Sequence, residues 1–153
     1  AGELGHVIVE PNGRLCGCGR KGCLETYTSA TGVVKTAKEI KDKYPESVLH
    51  NVAEMSSKEI YEAAKKNDAA ALEIFETTGK ILGECLANTI AITSPEAIIL
   101  FGGLARAEKY IFEPTERHMN SNLLRIWKNK IKLLPSKLPE NDVAILGAAA
   151  LVV

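Results

Sequence analysis

An excess of charge of either sign is the first thing this sequence lacks. Lys+Arg number 19 and Asp+Glu number 19, a formal net charge of zero over 153 residues. Affinity for a nucleic-acid backbone is mostly electrostatic, so a neutral domain is a poor nucleic-acid binder. The same balance argues against docking on an anionic membrane surface. Long hydrophobic runs are missing too. The longest, Val143 to Val153, is interrupted by Gly147 and falls short of the roughly 20 residues that a spanning helix needs. No charged start leads into an apolar segment, so no signal peptide is read and a cytoplasmic location is expected. Internal repeats and low-complexity linkers are absent. The 46% hydrophobic and 25% charged fractions exclude a disordered chain, a coiled coil and collagen. The length suits one domain with a real core, or one lobe of something larger.

What is present reads as α/β with helices in excess. His6 to Glu10 predicts a short strand, ended by the turn Pro11-Asn12-Gly13. Arg14 to Gly22 carries three glycines among its cysteines and predicts a loop built around something. Leu24 to about Lys43 turns helical, with Val33, Ala37 and Ile40 at spacings of four and three. Residues 46 to 55 are irregular. Ser56 to Glu59 is a capping box opening a helix to about Lys66. Asp68 caps the longest helix, to about Thr93, with an inner stripe of Ala71, Phe75, Thr78, Leu82, Cys85, Thr89 and Ile92. Ala97 to Phe101 reads as a buried strand running into Gly102-Gly103. Pro114 suits the first turn of a helix carrying Met119, Leu123, Ile126 and Trp127. Ile131 to Leu134 and Val143 to Leu146 read as strands, the latter preceded by Asn141-Asp142. An Ala-rich closing helix follows.

The four cysteines divide three to one. Cys85 lies on the apolar stripe of the long helix and reads as a small core residue. Cys16, Cys18 and Cys23 crowd one loop, and His6 precedes them as H-x9-C-x-C-x4-C. Structural zinc takes four such ligands in a tetrahedron, and the glycines let three sulfurs turn inward. A redox pair is the competing reading of the same thiols. Two carboxylates flank the cluster: Glu3 lies three residues before His6, and Glu25 two after Cys23. Ligation would fix one imidazole N–H as a donor beside two acceptors, which suits a polyhydroxyl ligand. The alternative is that Glu3 is merely solvated and Glu25 sits in the first turn of a helix.

Glu3-Leu4-Gly5-His6 resembles the E-x-G-H motif of the ROK family (repressors, open reading frames and kinases). Cys16 to Glu25 is similar to that family's C-x-C-G-x-x-G-C-x-E signature at every fixed position. The Gly102-Gly103 strand end and the closing segment Ile145 to Leu151, similar to G-A-A-x-L, extend the resemblance over the whole chain. The resemblance implies an actin-like ATPase, ribonuclease H-like fold and ATP-dependent phosphorylation of a hexose 6-hydroxyl, glucose being the default sugar. It implies that Glu3, His6 and Glu25 contact the sugar and that His6, Cys16, Cys18 and Cys23 hold structural Zn²⁺. It implies that Gly102 and Gly103 flank the adenosine side of ATP, and that the protein is a homodimer. A turn or packing role is the alternative for the glycine pair.

The kinases of this family also use a D-x-G-x-T phosphate loop and a catalytic Asp in an N-D motif. The aspartates here are Asp42, Asp68 and Asp142, none followed by glycine. Asn67-Asp68 reads as a helix cap. The expectation is therefore a C-terminal lobe, residues 1–153 with the zinc loop at about 6–25, of a longer Mg²⁺- and ATP-dependent kinase. Its phosphate-binding lobe and catalytic base lie outside this chain, which alone is expected to be inactive. The same lobe also fits the effector domain of a ROK-type sugar-responsive repressor. A free-standing zinc module is a third reading, but it leaves Glu3, Glu25 and the glycine pair unexplained.

Overall fold

The computed structural model describes residues 2–138 and 143–150. Among the described residues six α-helices and two strands follow in chain order: α1 Glu25–Thr28, α2 Ala30–Ile40, α3 Ser57–Lys65, α4 Ala69–Thr93, β1 Ala97–Leu100, α5 Lys109–Asn122, β2 Lys132–Pro135 and α6 Val143–Ala149. Short 3₁₀ turns join several of them. The mixed helix and sheet content agrees with the sequence reading.

Helix α4 organises the molecule. Asp68 caps it by accepting from the Ala71 amide at 3.0 Å. Two more contacts hold the same carboxylate, the Ser47 hydroxyl and the Val48 amide, both at 2.9 Å. Burial works against its charge, but the Ala71 and Val48 amides and the Ser47 hydroxyl hold its pKa below the usual value. At the far end Ser94 takes the left-handed conformation, φ 48°, and stops the helix. One half of α4 places Ile74 and Phe75 in a core with Val33, Ile60 and Ile111. The other half places Leu86 and Ile90 against Met119, Leu123 and Ile131. Cys85 is buried in this helix, 4% exposed, and burial pushes its thiol pKa up, as a core role requires.

Helix α5 lies along α4 at backbone distance. A Cβ on Gly83 would stand 2.5 Å from the Thr115 carbonyl oxygen, and one on Gly79 would stand 2.7 Å from the Pro114 ring. Two glycines one turn apart thus make the groove that α5 occupies. This explains why Pro114 sits inside α5, not in its first turn as the sequence predicts. The ring packs where Gly79 has no side chain. The expected stripe also ends early: Ile126 is 61% exposed, and Trp127 lies past the helix end. On α4 the stripe is wider than predicted, but Ile92 is 85% exposed.

Other boundaries move for local reasons. The helix expected over Leu24 to Lys43 breaks at Ser29, whose hydroxyl accepts from the Gly32 amide at 3.0 Å. An N-cap in mid-pattern outweighs apolar periodicity. The strand expected at His6 to Glu10 is a 3₁₀ turn, Leu4–His6, followed by a single bridge of Ile8 to Cys23. Its partner is a tight loop, too short to carry a ladder. Val143 to Leu146 opens α6 and is not a strand. Asn141-Asp142 and Leu151 lie outside the described residues. The Ser56 cap is present, accepting from the Lys58 amide at 3.2 Å.

Strands β1 and β2 pair in parallel, Ile98 opposite Leu133 and Leu100 opposite Pro135. Parallel strands are normally covered on both faces. Here Ile99 is 64% exposed, so β1 is less buried than its apolar run predicts. Among the described residues no helix is long and apolar enough to cross a membrane.

Candidate metal centre

The chain from Leu4 to Tyr27 wraps a cluster. The 3₁₀ turn presents His6, and the loop closes as a tight hairpin in which the Cys16 amide bonds to the Arg20 carbonyl at 2.8 Å. Gly22 is obligatory in this closure. Its φ is 77°, and a Cβ there would stand 1.7 Å from the Glu10 carbonyl oxygen. The amides of Val9 and Glu10 both reach the Gly22 carbonyl, at 2.9 and 3.2 Å. The loop is thereby fastened to the segment that follows His6.

Four ligand atoms, one each from His6, Cys16, Cys18 and Cys23, lie within 4.8 Å of one another. His6 Nδ1 is 3.6 Å from Cys16 Sγ, and Cys18 Sγ is 3.6 Å from Cys23 Sγ. Donors in a tetrahedron at zinc bond lengths stand roughly 3.5–3.8 Å apart. The donor chemistry and these two spacings therefore fit an ion held by three sulfurs and one nitrogen. Cys16 and Cys23 are buried and Cys18 is exposed. The sulfurs differ in basicity. The Arg20 amide and then its guanidinium lower the Cys18 pKa to about 6. At Cys16 the Cys18 amide pulls down, but the Glu25 carboxylate and burial outweigh it and push the thiol up to about 12. The Cys16 thiol donates to Glu25 Oε1 at 2.8 Å.

The carboxylates stand on opposite sides of the imidazole. Glu3 Oε2 is 3.6 Å from His6 Nε2, and Glu25 Oε1 is 3.8 Å from His6 Nδ1. With Nδ1 turned to the sulfurs, Nε2 is the nitrogen left facing Glu3. The Glu3 side chain is 79% exposed and that of Glu25 45%. Glu25 opens α1, as a residue in the first turn of a helix would, yet its carboxylate faces the cluster. Sequence reasoning missed Arg20. Its Nη2 donates to the His6 carbonyl at 2.7 Å, tying the two ends of the motif together. A basic residue inside a thiolate loop was the available signal.

The glycine pair lies elsewhere. Gly102, at φ 103°, lines a cavity of about 310 Å³ beyond the carboxyl ends of β1 and β2, with Phe101, Arg106 and Pro135. Gly103 faces a second cavity of about 310 Å³, walled by Ser57, Lys58 and Tyr61 at the start of α3. Nothing lies within 4 Å of where either glycine would carry a Cβ. Neither cavity includes a residue of the His–Cys cluster.

Solved structures share this architecture. The ROK family glucokinase of Streptomyces griseus, in complex with glucose and AMPPNP, matches with a TM-score of 0.85 at 30% identity, over 99% of this chain and 51% of that one. A ROK family transcriptional regulator, a homologue of the E. coli MLC protein, matches with a TM-score of 0.80 at 30% identity, over 91% of this chain and 35% of that one. The fold is that of the actin-like ATPases.

In sequence, the chain is 35% identical over 154 residues to the glucokinase of Thermotoga maritima, 98% of this chain and 48% of that enzyme. It is 32% identical over 152 residues to the DNA-binding transcriptional dual regulator NagC of Escherichia coli, 99% of this chain and 36% of that protein. The ROK family model matches residues 1–153, and the chain belongs to the ROK family. It spans about half the length of the glucokinases it matches.

Proposed function

We propose that residues 1–153 form the C-terminal, sugar- and zinc-binding lobe of an ATP-dependent hexose kinase, a glucokinase acting on the sugar 6-hydroxyl. The observation that carries this is the placement of Glu3 and Glu25, both accessible to solvent, on either side of His6 beside a cluster of three sulfurs and one imidazole nitrogen. Carboxylates accept from sugar hydroxyls, and an imidazole N–H donates to them. His6 Nδ1, Cys16, Cys18 and Cys23 would hold Zn²⁺, whose contribution is structural. Held in that way, His6 offers Nε2–H to the sugar from a fixed direction.

The ATP side is read at Gly102 and Gly103. Ligands in open α/β sheets bind beyond the carboxyl ends of strands, and the backbone there is bare of side chains. No catalytic base is assigned to this chain. Its work in the full-length, Mg²⁺-dependent enzyme would be orientation of the sugar and one side of the nucleotide. A homodimer follows from the family reading alone.

Glu25→Ala in the full-length protein is expected to raise the sugar KM far more than the ATP KM. Equal rises in both would remove the sugar assignment. The 153-residue chain assayed alone is expected to show no phosphotransfer above a no-enzyme control.

A second reading, the effector domain of a sugar-responsive repressor, is favoured by the likeness to NagC and to the MLC homologue. The coding sequence ahead of Ala1 separates the two. A D-x-G-x-T loop marks the kinase, and a helix-turn-helix marks the repressor.

A further inference from the structure

We propose that Arg14 is a positioning residue for Glu25, one that acts by holding the Thr26 carbonyl at the far end of α1. The proposal rests on the sugar-site reading given above. Helix α1 has only four residues, far below the length that holds itself in water. The Cys23 end of α1 is tied to the His–Cys cluster. Its other end stops at the extended Ser29, φ −93° and ψ 169°, and needs a second anchor.

Arg14 supplies one. Its Nη1 donates to the Thr26 carbonyl at 2.7 Å and to the Gly32 carbonyl at 3.1 Å. Its Nη2 donates to Thr36 Oγ1 at 2.8 Å and to Glu39 Oε2 at 2.5 Å, and its Nε to Glu39 Oε1 at 2.8 Å. A guanidinium has five N–H donors, and all five find acceptors. The side chain is 11% exposed, and its guanidinium carbon stands 4.4 Å from the centroid of the Tyr27 ring. The Arg14 amide also donates to the Tyr27 hydroxyl at 2.9 Å.

These bonds span the break at Ser29. In α1 the Leu24 and Glu25 carbonyls take the Thr28 and Ser29 amides. The Thr26 carbonyl, next in line, takes Arg14 instead. The fork then continues to the first turn of α2 and to Glu39 farther along it. The turn that carries Glu25 is thus clamped to an eleven-residue helix by a group that is not a metal ligand. Lysine, with three donors and no fork, cannot make this set.

The test uses the full-length, zinc-loaded protein and its Arg14→Met, Arg14→Lys and Glu25→Ala variants. Arg14→Met is expected to keep its zinc and raise the sugar KM about tenfold, with the ATP KM within about twofold. Arg14→Lys is expected to restore only part of the loss, because charge without the fork is insufficient. Hydrogen exchange at the Thr28 and Ser29 amides is expected to quicken about tenfold in Arg14→Met with zinc still bound. Unchanged exchange there overturns the proposal, as does a sugar KM that Glu25→Ala moves and Arg14→Met does not. Quickened exchange with a sugar KM insensitive to both variants leaves the clamp standing and removes the sugar reading. If Arg14→Met does not fold, Glu39→Gln and Thr36→Val each remove part of the same fork. Exchange unmoved by both then overturns the proposal.

Discussion

The metal loop and the α4–α5 pair solve the same problem, holding backbone close to backbone, by opposite means. Between the 3₁₀ turn Leu4–His6 and α1, the loop contains no helix or strand, only two isolated bridges. Its order comes from a donor cluster, a glycine that admits the Glu10 carbonyl and bonds that cross the loop. Helices α4 and α5 are regular throughout and hold together by burial, with Gly79 and Gly83 setting their distance. On the proposed reading, order in the loop is chemical and conditional on its metal. Order in the helices is steric and unconditional. A perturbation should reach one without the other.

Gly22→Ala should have the largest effect. A Cβ would stand 1.7 Å from a backbone oxygen, so the loop cannot close. Bound zinc is expected to fall below about half an equivalent by metal analysis, while the helical circular dichroism is kept. Collapse of both signals together would break the contrast between the regions.

Next in size is thiol reactivity after the metal is stripped. Cys18, with its pKa near 6, is a thiolate above that pH. Cys16, at about 12, and the buried Cys85 stay protonated. Alkylation at neutral pH is expected to favour Cys18 by about a hundredfold or more. Mass spectrometry of labelled peptides reads this directly, and equal labelling of Cys85 would show that the helices are not independent of the metal.

Gly83→Ala should do the reverse of Gly22→Ala. Overpacking against the Thr115 carbonyl is expected to cost about 2–3 kcal/mol in denaturant unfolding, with zinc content unchanged.

Asp68→Ala is expected to cost about 1 kcal/mol, an ordinary cap loss. The folded pKa of Asp68 is depressed, so its contribution is full above the unfolded value and fades as pH falls through the folded one. The loss should be seen at neutral pH and shrink in acid. A loss that grows in acid would contradict the cap geometry.

The two regions also differ in how far the sequence revealed them. Motif spacing alone brought His6, Cys16, Cys18 and Cys23 together, because the metal site proposed there would constrain residue type and interval at once. Apolar spacing located α4 and the Asp68 cap to within a residue. It failed where a local group outweighs periodicity: at Ser29, which caps in mid-pattern, and at Pro114, which is accommodated only because Gly79 sits opposite. That pairing joins residues far apart in the chain, which no window of sequence contains. Arg14 was illegible for the same reason. Its side-chain acceptors are 12 to 25 residues away, and a lone arginine after a turn looks like any surface cation.

The parallel pair of β1 and β2 has a practical consequence. Each strand has one outer edge without a neighbour among the described residues, and β1 reads Ala-Ile-Ile-Leu with no charge in it. Unpaired, uncharged strand edges are templates for other chains. Lys132 guards β2, but among the described residues β1 itself carries no such charge. Handled as a 153-residue chain, the protein should associate with itself as its concentration rises, through β1 first. A lysine at the exposed Ile99 is the substitution expected to suppress it.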